Sequence, residues 1–141
     1  MAALAIDHVD MRVAALGAVE RFYDAFAERL GLTEKRYSKV GFGGSSWEAG
    51  SPDDYNAVEY YAPRVPGRAR LFFGVIEEVD AQPAKSRVAF TVGEEELEEW
   101  ARVLPGMGAR EIEVGDPSYP AVFFTDPLGT RLEVCARRPA P

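Results

Sequence analysis

Histidine and cysteine are nearly absent: the 141 residues hold one of each. A single histidine excludes a two-histidine metal triad assembled within one chain. A single cysteine excludes an intrachain disulfide, a CxxC redox pair and a cysteine-rich zinc site. A chain without bridges suits a reducing compartment, so the expected location is the cytoplasm. Positive charge is also scarce. The chain carries 16 Lys and Arg against 23 Asp and Glu, a net charge of −7. With a pI near 4.8, neither a nucleic-acid partner nor a polybasic membrane surface is expected, because both need a basic face. Long apolar runs are missing too. Leu71 to Ile76 spans six residues, far short of a membrane span, so no membrane partner is expected. The N-terminal stretch meets Asp7 at once without a basic leader, and a secretory signal is not expected. What remains is one domain's length with 47% hydrophobic residues, enough to build a core.

The patterning sets out an ordered series of elements. Residues 6–13 alternate with period two: Val9, Met11 and Val13 take one face, His8, Asp10 and Arg12 the other. Residues 18–30 follow helical spacing, with Val19, Phe22, Phe26 and Leu30 as the apolar stripe and Gly31 placed to stop the helix. Strands are expected over 34–40, 56–62 and 69–77. Gly41 to Tyr55, rich in Gly, Ser, Asp and Pro, reads as a long loop. Its Gly-x-Gly-Gly stretch is not a phosphate loop, since no Lys-Ser/Thr follows. Residues 79–86 contain Pro83 and read as a linker. The order then returns. Residues 86–92 alternate, 94–104 are helical with Leu97, Trp100 and Leu104 inward, and strands follow near 109–114, 120–125 and 130–137. Glu94 to Glu96 suit the positive end of that helix. Asp126-Pro-Leu-Gly129 has type I turn chemistry.

The chain therefore reads βαβββ twice. His8–Val13 overlays Arg87–Val92 at an offset of 79, and Ala69–Phe73 overlays Thr130–Val134 at an offset of 61. The expected class is α+β, two βαβββ modules (4–80 and 86–138) of one domain.

Five stretches carry a family resemblance: Ile6-Asp-His-Val9, Arg21-Phe-Tyr-Asp24, Leu30-Gly-Leu32, Arg87-Val-Ala-Phe90 and, most specifically, Phe124-Thr-Asp-Pro-Leu-Gly-Thr-Arg-Leu-Glu133. On these the chain resembles the vicinal oxygen chelate superfamily, which includes glyoxalase I, fosfomycin-resistance and bleomycin-binding proteins and extradiol dioxygenases. The resemblance spans nearly the whole chain. It implies that the two modules form an open, curved mixed-sheet cup with the helices outside, and it implies a homodimer, a small-molecule ligand and metal ligands on the opening and closing strands of each module. Carried over, those positions hold His8, Phe72, Arg87 and Glu133. Phe72 cannot coordinate, and Arg87 is a permanent cation.

Strand parity adds an argument that needs no family. If His8 faces the cup, so do Asp10, Arg12, Arg87, Phe72, Arg131, Glu133 and Cys135. The other face is uniformly apolar. The expectation is that Arg87 replaces the metal, pairing with Glu133 near His8, with Arg12 and Arg131 offering donors to a carboxylate, phosphonate or enolate-like oxygen. Trp47 and Tyr60 are the aromatic candidates for ligand contact, with Tyr55 and Tyr119 also near strand ends; for Trp47 the favoured role is tacking down its loop or helping a dimer interface. Cys135 reads as a packing residue.

Three functions stand open. The first is a glyoxalase/bleomycin-resistance-like protein without the usual divalent metal, binding a small polar or anionic molecule. The second is a metal-dependent lyase or dioxygenase-type enzyme using Zn, Ni, Mn or Fe. It would have His8 and Glu133 as catalytic ligands and recruit Asp10, Glu59 or water as a third. The third is a non-catalytic module with a vestigial cup.

Overall fold

The computed structural model describes residues 4–41 and 46–138. Among these residues nine strands and two α-helices follow the expected βαβββ order twice, with one additional short strand, Trp47–Ala49, in the first repeat. The described residues fall into two compact units, 4–16 with 26–81 and 17–25 with 82–138.

The first unit carries a five-stranded mixed sheet in the order β1-β5-β4-β2-β3. Its strands are β1 (His8–Val13), β2 (Glu34–Val40), β3 (Trp47–Ala49), β4 (Ala57–Tyr61) and β5 (Phe72–Glu77). β1 lies parallel to β5, and the other pairs are antiparallel. The expected loop over 41–55 thus contains a short strand. Trp47 pairs with Val40, and Ala49 with Ser38; Ser51 and Asp54 add a bridge. Three residues are too few to show a period-two pattern among so many turn formers. Part of the Gly-rich stretch, 42–45, lies outside the described residues.

The second unit carries a four-stranded sheet, β6-β9-β8-β7. Its strands are β6 (Arg87–Thr91), β7 (Arg110–Val114), β8 (Ala121–Thr125) and β9 (Arg131–Cys135). β6 lies parallel to β9, and the rest are antiparallel. β7 is bulged between Arg110 and Glu113, where Glu111 sits at φ 50°.

Both helices stop by the same device. α1 (Glu20–Leu30) is followed by Gly31 at φ 86°; the Gly31 amide donates to Glu28 O and the Leu32 amide to Ala27 O. α2 (Leu97–Met107) is followed by Gly108 at φ 102°, with the Gly108 amide on Pro105 O and the Ala109 amide on Leu104 O. These are Schellman closures, which satisfy orphan carbonyls and need a left-handed residue. α2 runs three residues past the expected end at Leu104. Pro105 forfeits one helical bond in the last turn, and the Gly108 closure holds that turn together. The first turn of helical structure, Glu94–Glu96, is 3-10; the Glu96 carboxylate accepts the Gly93 amide at 2.8 Å.

The alternation read from the sequence assigns the faces correctly. Val13, Phe73, Val75, Leu132 and Val134 are buried on the apolar faces, with Phe22, Phe26, Trp100 and Leu104 from the helices. In the second unit Phe22 meets Phe124 at 6.3 Å between ring centroids. Burying each such side chain contributes roughly 1.5–3 kcal/mol. The Asp126 turn is fixed from inside. Its carboxylate accepts the amides of Leu128 (2.8 Å) and Thr130 (3.0 Å) and the Tyr23 hydroxyl (2.6 Å). Among the described residues no helix is long and apolar enough to cross a membrane.

Candidate functional site: the polar sheet faces

Residues paired across neighbouring strands share a face, so the register maps each polar face rung by rung. In the first unit one rung runs His8–Phe72–Tyr61–Glu34, and the next Asp10–Gly74–Glu59–Arg36. Side chains follow this map. His8 lies flat on Phe72, with centroids 4.5 Å apart and planes 2° from parallel. Phe72 meets Tyr61 at 4.9 Å. Arg36 and Arg70 stand over the Tyr61 ring at 4.4 and 5.2 Å, and both bind Glu34. The Arg36 hydrogen bond holds the Glu34 carboxyl below its usual range. The His8 Nδ1 lies 2.7 Å from Asp7, and its Nε2 lies 3.6 Å from Asp10. Arg12 is 3.6 Å from Glu78, an ordinary part-exposed ion pair.

Glu59 is the unusual member. It is 2% exposed. Its Oε1 accepts the Ser38 hydroxyl, and Ser38 in turn accepts the Trp47 indole N–H at 3.1 Å. Its Oε2 has no hydrogen-bond partner. Burial pushes the Glu59 carboxyl above its ordinary value, Asp10 adds to the rise, and Ser38 and Trp47 oppose it.

In the second unit the rungs are Arg87–Arg131–Thr125–Arg110 and Ala89–Glu133–Phe123–Glu113. Glu133 is 5% exposed and accepts the Tyr119 hydroxyl at 2.9 Å. That bond raises the Tyr119 phenol above its ordinary value. Arg87 is exposed and sets its guanidinium 4.7 Å over the Phe123 ring. Tyr119 stacks on the same ring at 6.1 Å. Arg131 is exposed and donates to Lys85 O at 3.0 Å. Cys135 is buried, and its thiol is raised first by desolvation and then by Glu133, away from the reactive thiolate.

Three expectations change. Glu133 takes Tyr119 as its partner. Among the described residues Arg87 and Glu133 make no ion pair, because Arg87 sits one rung away and is drawn to the negative face of Phe123. Tyr60 pairs with Phe73 on the apolar side and is 3% exposed. The aromatic on the polar face is Tyr61. The overlay of the two modules is also two residues out. With His8 set on Arg87, the register places Arg131 beside Arg87 where Phe72 stands beside His8. Glu133 therefore corresponds to Gly74, not to Phe72. Glu59's orphan oxygen, the Tyr119–Glu133 bond and the Tyr23–Asp126 bond gave no local sequence signal beyond their residue types.

The metal-ligand set that the resemblance implies does not fit these residues. Phe72 and Gly74 supply no donor, Arg87 is a cation, and the His8 ring is stacked on Phe72 between two acidic neighbours. Among the described residues no three His, Cys, Asp or Glu side chains are grouped to hold an ion.

Two βαβββ units of this topology define the class: the chain has the fold of the vicinal oxygen chelate proteins. It is similar to a glyoxalase/bleomycin resistance protein from Albidiferax ferrireducens T118, with TM-score 0.60 and 21% identity over 94% of this chain and 98% of that one. It is similar too to the fosfomycin resistance protein FosX from Listeria monocytogenes, solved with Mn(II) and 1S,2S-dihydroxypropylphosphonic acid (TM-score 0.57, 18% identity, 95% and 90% covered). FosX from Mesorhizobium loti gives TM-score 0.55 at 15% identity, with 95% and 92% covered. No family model matches the chain, and no curated protein matches it by sequence.

Proposed function

We propose that the chain binds a small anionic organic molecule on the polar face of the second unit, with Arg87 holding the anion where relatives of this fold use a divalent cation. The observation that carries this reading is Arg87 itself: exposed, oriented over Phe123, and beside Arg131 on the same face. A guanidinium presents five N–H donors in a planar fork suited to a carboxylate or phosphonate. Its place over the Phe123 ring holds the guanidinium on this face, with N–H donors for the ligand. Tyr119, held by Glu133, supplies a second ring for a flat ligand group. The buried Glu133 carboxyl lies next to this surface, so the reading favours one anionic group at the Arg87 edge rather than a polyanion. The FosX structure holding a phosphonate lends chemical support. A homodimer and a cytoplasmic location, both implied by resemblance or composition, belong to the same proposal.

Titration calorimetry with phenylphosphonate, which combines an anion and a ring, tests it. Binding is expected, and Arg87→Met should weaken it by about tenfold or more, as loss of a charge-assisted pair does. Equal affinity in the variant, or no binding by the intact protein, would overturn the reading.

A further inference from the structure

We propose that the space above Gly74 in the first unit, between Asp10 and Glu59, binds the ammonium group of a small organic amine, with the ring row of His8, Phe72 and Tyr61 beside it. This site lies on a different unit from Arg87 and does not depend on the reading given above.

Gly74 occupies the rung between Asp10 and Glu59. A Cβ there would lie 2.7 Å from Asp10 Oδ1, so the Asp10 carboxyl reaches over the glycine. Only glycine leaves it that room. Two carboxyl groups therefore flank one glycine on the same face, and one of them is almost completely buried.

The buried member is preset. Ser38 donates to Glu59 Oε1 and is itself held by the Trp47 indole. Oε2 is left without a partner, although a buried acceptor normally finds one. The cross-strand cation does not serve it. Arg36 is on the same rung, yet its Nε is bonded to Glu34 at 2.5 Å and its guanidinium covers Tyr61. The protein thus brings a cation to the next strand and turns it away.

The chemistry of the missing partner follows. It must donate hydrogen bonds, because the orphan atom is an acceptor. A positive charge is favoured, because Asp10 and Glu59 flank the same glycine. An ammonium group has three donors and the charge. The flat rings on the adjoining rung suit an apolar or aromatic body attached to it.

Benzylamine is the probe, and benzyl alcohol, of similar shape but uncharged, is the control. Amide chemical shifts of the full chain would be followed during titration. The expected result is saturable binding with shifts centred on Gly74 and Glu59, no comparable binding of benzyl alcohol, and weakening by about tenfold or more in Glu59→Gln. Glu59→Gln keeps the shape and a carbonyl acceptor for Ser38. Asp10→Asn, at a part-exposed position, provides a second variant and should weaken binding in the same direction. No saturable binding, equal binding of the alcohol, unchanged affinity in both variants, or shifts centred elsewhere would each overturn the proposal.

Discussion

Replacing Tyr23 by Phe removes one oxygen from the interior of the second unit. Tyr23 and Asp126 are both 0% exposed, and the hydroxyl donates to Asp126 Oδ2 at 2.6 Å. The other carboxylate oxygen is occupied by the Leu128 and Thr130 amides. A hydrogen bond to a charged group contributes about 1.5–3 kcal/mol net, and its loss leaves a buried carboxylate oxygen short of a donor. Ring packing against Phe22 stays in place, so no large cavity opens. The expected cost is about 2 kcal/mol, near thirtyfold in the folding equilibrium. For a chain of this size that lowers Tm by roughly 5–8 °C. Urea unfolding followed by tryptophan fluorescence measures it, because Trp100 is buried. The midpoint should fall with the slope unchanged. A loss below about 0.5 kcal/mol, the usual range of an inconsequential surface change, would refute the argument that this bond anchors the turn.

Two further outcomes follow from shifted groups. Glu59 has its carboxyl raised above an ordinary value of 4.5 by burial, so the folded state holds the proton more tightly than the unfolded chain. Its stabilising effect is complete below the unfolded value and is lost as pH rises through the folded one. The unfolding free energy of the protein should therefore fall relative to Glu59→Gln as pH rises from about 4.5; parallel curves would contradict this. Cys135, buried and with its thiol raised by desolvation, should react with iodoacetamide at mildly alkaline pH far more slowly in the native protein than in urea. Equal rates would contradict its burial.

Much of the fold was legible because it rests on periodic patterns. Val9, Met11 and Val13 against His8, Asp10 and Arg12 assign β1 its faces without any tertiary information. The parity argument carried Glu133 and Arg87 to one face for the same reason. Parity does not set the rung, however. A two-residue slip keeps every side chain on its face, so matching Arg70-Leu71 to Arg131-Leu132 was free to misplace Phe72 against Glu133. The pairing of Arg87 with Glu133 failed from the same blindness: charges on one face were matched without knowing that Phe123 lay beside Glu133 on the next strand, within reach of the Arg87 guanidinium. Trp47–Ala49 was hidden because a three-residue edge strand depends on its partner β2 more than on its own sequence. Glu59 was visible as a carboxylate in a strand, but its burial and orphan oxygen arise only when Ser38, Gly74 and Asp10 are brought around it.

The central claim is that an arginine holds the anion without help from a metal. The most direct measurement is the affinity of phenylphosphonate for protein stripped with a chelator, compared with protein supplied with Mn(II). The account predicts the same affinity in both conditions and its loss in Arg87→Met. Binding that appears only with the metal and survives in Arg87→Met would contradict it.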